Sequence, residues 1–179
     1  MIETAYRGDE FTLTWVSADY LQQENAARRL LWNGAKFASE AEMISRGRPL
    51  LLKALGVSQE ESRLDIQKKV CIGVLNTLIS EQDRKVLGRY LTCIELTGII
   101  EDAIRDHVVY EHRGILKDFS LRGMSSLSVC ERYGISERTL KRIRKEGTEA
   151  VDKVIRGLFG KLKEESPDLA REWGMLDAV

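Results

Sequence analysis

Between residues 136 and 146 the chain places Glu137, Arg138, Lys141, Arg142 and Lys145 in alternating steps of one and three. A helix would carry all five on one face. An arginine offers two parallel N–H donors that match the O6 and N7 acceptors of guanine, and each good pair discriminates between bases by roughly 1–3 kcal/mol. Arg138 and Arg142 stand one turn apart and are the candidates for base reading. Lys141 and Lys145 suit phosphates, whose contacts fix register without reading sequence. Glu137 can accept from a cytosine amine or simply complement the positive end of the helix. Ser136 and Thr139 add hydroxyl contacts to phosphate. Arg144 lies partly round the helix, where Glu149 or Asp152 can pair with it.

The residues just before this face supply a frame for it. Gly134 falls where a preceding helix must stop and the backbone turn, which glycine does without a side-chain clash. Ser136 follows as a helix cap, its hydroxyl accepting from an orphan backbone N–H. Cys130 is small and lies one turn before the glycine, where two helices approach most closely. Val129, Tyr133, Ile135, Leu140 and Ile143 are apolar at the spacing that buries one shared core. Together these features describe a helix-turn-helix, with residues 136–146 as the helix set in the major groove of double-stranded DNA and Gly147-Thr148 as its end.

Charge distribution agrees with that chemistry where total charge is silent. The 179 residues hold 28 basic and 28 acidic side chains, a formal net charge of zero. From 136 to 163, however, nine Lys or Arg face four acids, the local footprint of a polyanion binder. The tail from 164 reverses the sign with Glu164, Glu165, Asp168, Glu172 and Asp177 against Arg171. No apolar run approaches the roughly 20 residues that span a bilayer, and the first residues lack the basic start and apolar stretch of a secretion signal. Cys71, Cys93 and Cys130 are odd in number, widely spaced and each within an apolar helix face. They read as reduced, buried thiols of a soluble cytoplasmic protein.

Catalytic constellations are thin. His107, Glu111 and His112 share one expected helix, but their spacing matches neither zinc protease signature. There is no glycine-rich phosphate loop, no Gly-x-Ser-x-Gly turn and no paired-cysteine motif. The expectation is a protein without catalytic activity, metal or cofactor.

Two prolines and long helix-compatible stretches imply a mainly α fold. The exception is residues 11–16, whose period-two alternation after Arg7-Gly8-Asp9 suggests a short N-terminal strand or hairpin. Ser17 reads as the cap of a helix running to Asn33-Gly34, with a second helix over 39–45. Pro49 opens a short apolar helix closed by Gly56. Ser58 and Glu61 form a capping box before an apolar face of Leu64, Val70, Cys71, Val74, Leu75, Leu78 and Ile79. Ser80 caps the next helix, and a further segment through Ile99, Ile104 and Val108 leads to Ile115, Leu116 and Phe119 beneath the two-helix motif. Ser125 or Ser126 caps the motif's first helix. An amphipathic helix through Leu162 and a short one from Ser166-Pro167 complete the chain. The expected division is a multi-helix N-terminal part, 1–79, for interaction or dimerisation; a DNA-binding domain, 80–163; and an acidic C-terminal helix, 164–179. The apolar helices between Leu64 and Ile100 would serve a homodimer interface or a monomer core.

From about 80 to 162 the chain resembles the fourth region of bacterial sigma factors. The matching stretches are Ser80-Glu-Gln-Asp-Arg-Lys-Val-Leu, Leu121-Arg-Gly-Met-Ser-Ser-Leu-Ser-Val and Tyr133-Gly-Ile-Ser-Glu-Arg-Thr-Leu-Lys-Arg. Small phage and prophage regulators, those called ArpU and RinA among them, look like this, with a helical N-terminal part joined to a sigma-like helix-turn-helix. The resemblance implies promoter DNA binding through residues 136–145, contact with RNA polymerase and control of late phage genes. Between Tyr90 and Ile115 this chain carries more residues than the sigma pattern needs. Two other functions fit the motif: a DNA-packaging adaptor such as a small terminase subunit, or a recombination adaptor of that kind; and a protein-interaction module that keeps the fold as a scaffold.

Overall fold

The structure is a computed structural model that describes residues 5–8, 11–58, 61, 63–76 and 80–175. Asp9, Leu78, Ile79 and Asp177, and the side chains of Cys71, Val74 and Leu75, lie outside the described part.

The chain begins with the expected hairpin. Strands β1 (Ala5–Arg7) and β2 (Thr12–Thr14) pair antiparallel with Tyr6 opposite Leu13, and both of those side chains are buried. Helix α1 (Trp15–Gln22) follows at once. Its cap is Thr14, whose hydroxyl accepts from the Ser17 N–H, and not Ser17 as the sequence suggested. Ser17 is instead buried and donates to the Glu95 carboxylate, 78 residues on, at 2.5 Å.

The helix expected from Ser17 to Gly34 is two helices. The break falls before α2 (Ala26–Gly47), where Asn25 takes the left-handed conformation at φ 56°. Gly34 does not stop α2, and the separate helix expected over 39–45 is simply its second half. A Cβ at Gly34 would lie 2.6 Å from Ile100 Cδ1 and 2.8 Å from the Ser120 carbonyl oxygen. The glycine is there because two neighbours close on it, and packing outweighs its helix penalty of about 1 kcal/mol.

Helix α3 (Pro49–Ala54) opens on proline and closes at Gly56, whose φ of 74° suits only glycine well. Before α4 (Arg63–Asn76), the Ser58 N–H reaches the Glu61 carboxylate at 3.3 Å, which is one arm of the expected capping box. Ser80 caps α5 (Glu81–His107) by accepting from the Asp83 N–H. This helix is 27 residues long. Leu87, Leu91, Leu96, Ile99 and Ile100 are buried within the chain along it.

Helix α6 (Tyr110–Leu116) runs into a π-helical turn, Lys117–Leu121. That turn buries Asp118, Phe119 and Ser120 and is tied to α2 by a 2.6 Å bond from the Ser120 hydroxyl to the Leu31 carbonyl. Helices α7 (Ser126–Tyr133), α8 (Glu137–Glu165) and α9 (Pro167–Glu172) complete the chain, the last opened by proline as expected. Nine α-helices thus account for most of the described residues, and the fold is mainly α.

One buried apolar cluster draws on the hairpin, α1, α2, α5, α6, α7, α8 and α9, with Leu13, Leu31, Phe37, Leu96, Ile100, Leu140, Val151 and Leu162 among its members. It contains residues from both sides of position 80. A smaller cluster of Leu52, Val70, Leu87, Tyr90 and Leu91 joins α3, α4 and the first half of α5. No helix among the described residues is long and apolar enough to cross a membrane.

Candidate nucleic-acid interface

Helices α7 and α8 meet through a turn of three residues, and each local expectation for that turn is met. Gly134 sits at φ 62°, ψ 36° with its N–H on the Cys130 carbonyl. The Ile135 N–H returns to the same carbonyl at 3.1 Å, which closes the end of α7. The Ser136 hydroxyl accepts from the Thr139 N–H at 3.1 Å and starts α8. Ser125, not Ser126, caps α7 by accepting from the Ser128 N–H. Val129, Leu140 and Ile143 are buried between the two helices and the body, while Cys130, Tyr133 and Ile135 are partly buried against the same cluster.

The expectation that Gly147-Thr148 ends the second helix at 146 is wrong. Helix α8 continues unbroken for 29 residues, about 43 Å at 1.5 Å per residue. Gly147 is buried, and a Cβ there would lie 3.0 Å from Leu116 Cδ2 and 3.2 Å from Leu31 Cδ2. The glycine admits two leucines to the helix surface. Thr148 caps nothing; its hydroxyl donates back to the Arg144 carbonyl at 3.0 Å.

Three connections that the sequence did not reveal fasten this unit to the body. The first is Asp118 in the π-helical turn, whose side chain is fully buried. It accepts from the Tyr133 hydroxyl at 2.6 Å and pairs with Arg122 and, at 3.5 Å, with Arg132. Burial alone would raise its pKa, but the Tyr133 hydroxyl and the two guanidiniums outweigh that and hold the carboxyl below its usual range. The signal in the sequence was one acid inside the apolar run Ile115, Leu116 and Phe119, with Arg122 four residues on.

The second connection is Arg144. It pairs with neither Glu149 nor Asp152, because it sits on the flank of α8 that faces α2. Its guanidinium lies 4.6 Å from the ring centre of Trp32 and 5.2 Å from that of Phe119, and donates to the Ser126 hydroxyl at 3.2 Å. The stack of a cation on two rings is favourable in itself. Asp152 pairs with Arg156 instead, at 2.8 Å.

The third connection is Glu146, whose carboxylate takes the Val109 N–H at 3.0 Å and His112 Nδ1 at 2.5 Å. His112 is therefore engaged with α8, and His107 is exposed. Among the described residues no group of three or more His, Cys, Asp or Glu could hold a metal ion. Cys93 is a buried free thiol pushed up to about 12 by burial, and Cys130 is free and partly buried.

With those anchors in place, the opposite face of α8 is left to solvent. Glu137, Arg138, Lys141, Arg142 and Lys145 are all exposed, and among the described residues none of their side chains has a hydrogen bond or ion pair. Ser136 is exposed and Thr139 partly buried beside it, their hydroxyls 3.0 Å apart. The seven residues singled out from sequence thus share the first three turns of one helix. Four carry positive charge against one negative, and they stand apart from the engaged flanks of Arg144 and Glu146. No protein-family model, curated protein or solved structure matches the chain.

Proposed function

We propose that the chain is a sequence-specific regulator of transcription that binds double-stranded DNA through a helix-turn-helix, and that it has no catalytic activity. Helices α7 and α8 are the two arms of the motif, with residues 136–146 in the major groove. The observation that carries this reading is the unengaged basic face at the leading end of α8, capped by Ser136 and presented by a helix pair anchored on its other sides. Arg138 and Arg142 read guanine edges; Lys141 and Lys145 neutralise phosphates. The likeness to the fourth region of sigma factors supports promoter DNA as the target, RNA polymerase as a further partner and late phage genes as the regulated set.

Selection from a random duplex pool by the purified protein, beside an Arg138→Ala/Arg142→Ala variant, tests it. Enrichment of one motif that the variant loses or relaxes is the expected result. Binding that falls steeply with salt and enriches nothing would replace the regulator by a packaging or recombination adaptor. No binding to any duplex at moderate salt would leave an interaction module.

A further inference from the structure

The outer face of α2 carries a second basic surface. Arg28, Arg29, Trp32 and Lys36 fall on one stripe of that helix and all are exposed, Trp32 to 47% despite its size. No acidic residue occurs from 25 to 39. Among the described residues neither Arg28 nor Lys36 has a hydrogen bond or ion pair. Arg29 is held in place, donating to the Gln23 side chain at 2.6 Å and lying over the Tyr20 ring. A shallow groove of about 390 Å³ opens here between Asn25, Arg28, Arg29, Trp32 and Asn33.

This stripe reaches α8 at Arg144, on the flank that borders the face proposed to read DNA. Trp32 is the joint, because Arg144 of α8 stacks on its ring at 4.6 Å and also reaches Ser126 at the start of α7. On α8 itself, Lys145 adjoins Arg144 and Lys141 lies one turn before it. The surface has an edge as well: Arg28 also lines a neighbouring groove together with Glu149 and Asp152, on whose far side a polyanion would be repelled.

Resting on the DNA-binding reading above, we infer that the Arg28–Lys36 stripe of α2 grips the sugar–phosphate backbone that flanks the bases read by α8. The chemistry is that of backbone contact: cations for phosphate oxygens, asparagine amides as further donors, and a half-exposed indole to lie against deoxyribose. From Arg28 to Lys36 the stripe is about 12 Å long, the scale of a few phosphates on one strand. It lies beside the leading helix and not at its tip, so it sets register and adds affinity without selecting sequence.

The test uses the full chain and two duplexes: the minimal selected site, and the same site lengthened by about 10 base pairs, one helical turn, at each end. Affinity is measured across a salt series for wild type, Arg28→Ala/Lys36→Ala and Arg138→Ala/Arg142→Ala. The expected result is tighter binding of the longer duplex by wild type. The Arg28→Ala/Lys36→Ala protein loses that gain, and its log–log salt slope is shallower by about 2, near 0.9 for each lost phosphate contact. It still selects the same motif, whereas Arg138→Ala/Arg142→Ala loses the motif and keeps the gain from flanking DNA. An Arg28→Ala/Lys36→Ala protein with unchanged slope and unchanged preference for the longer duplex overturns the inference alone and assigns the stripe to another partner, such as an acidic protein surface. Failure of wild type to bind any duplex removes the DNA-binding reading and this one with it.

Discussion

The phenol of Tyr133 donates a 2.6 Å hydrogen bond to the carboxylate of Asp118, so the last residue of α7 bolts that helix to the π-helical turn beneath it. A buried carboxylate is costly unless its lone pairs are met. Arg122 meets it locally, and the rest of its partners, Tyr133 and Arg132, arrive only when α7 is docked.

Tyr133→Phe removes one donor and leaves the Asp118 oxygen facing a ring edge. The expected loss is about 1–3 kcal/mol of unfolding free energy, read by denaturant titration. Because the folded carboxyl titrates below its usual range, its contribution is present above the unfolded value of about 3.9 and fades as pH falls through the lower folded value. Wild type should therefore lose stability in acid more steeply than Asp118→Asn, itself destabilised at neutral pH. Parallel acid limbs would remove Asp118 from the account.

Glu95 behaves oppositely. It is fully buried on α5 and accepts from the Thr14 N–H at 3.1 Å, the Thr14 hydroxyl at 2.9 Å and the Ser17 hydroxyl at 2.5 Å. Burial outweighs those bonds and pushes its carboxyl from 4.5 up to about 7. Its contribution is complete below the unfolded pKa and is lost as pH rises through about 7. At about 1.4 kcal/mol per pH unit this amounts to roughly 3 kcal/mol between pH 4.5 and 7. Unfolding of Glu95→Gln should lack this decline, so the wild-type and variant curves should diverge across that window. If both proteins keep the same pH dependence, the side chain titrates normally.

Glycines inside α8 should respond in opposite directions. A Cβ at Gly157 meets nothing within 4 Å, so Gly157→Ala should stabilise by up to about 1 kcal/mol through helix propensity. Gly147→Ala gains the same propensity but pushes on Leu116 and Leu31, both fully buried, and should end about 1 kcal/mol less stable. Thermal melts of the two variants decide the matter, and a stabilised Gly147→Ala would contradict the packing described.

Arg144→Lys keeps the charge but gives up the planar guanidinium packed against Trp32 and Phe119. A loss of about 1 kcal/mol in stability is expected, with a change in the fluorescence of the half-exposed Trp32. Equal stability of the two proteins would mean that the stack is incidental.

Element ends were the legible part of this sequence. Ser80, Gly134, Ser136, Pro49 with Gly56, and Pro167 each act on backbone within a few residues, so their meaning is written beside them. Gly34 and Gly147 look the same in a string of letters, yet each marks a place where a distant leucine or isoleucine closes on a helix. Ser17 and Thr14 are equally good caps locally; Glu95, 78 residues from Ser17, decides between them. Of the candidate interface, the exposed residues 136–145 followed from helical spacing. Asp118, Glu146 and Arg144, which orient them, did not, because Tyr133, His112 and Trp32, on which they act, lie on other elements of the fold.

The absence of a joint at Gly147 has a consequence for how α8 meets any partner. Its leading turns are one end of a spoke whose other end is embedded among α5, α9 and the hairpin side of the core. Its aim is thus settled when the chain folds and is not searched for on contact. Association should involve little ordering of this protein, and adjustment should fall to the partner.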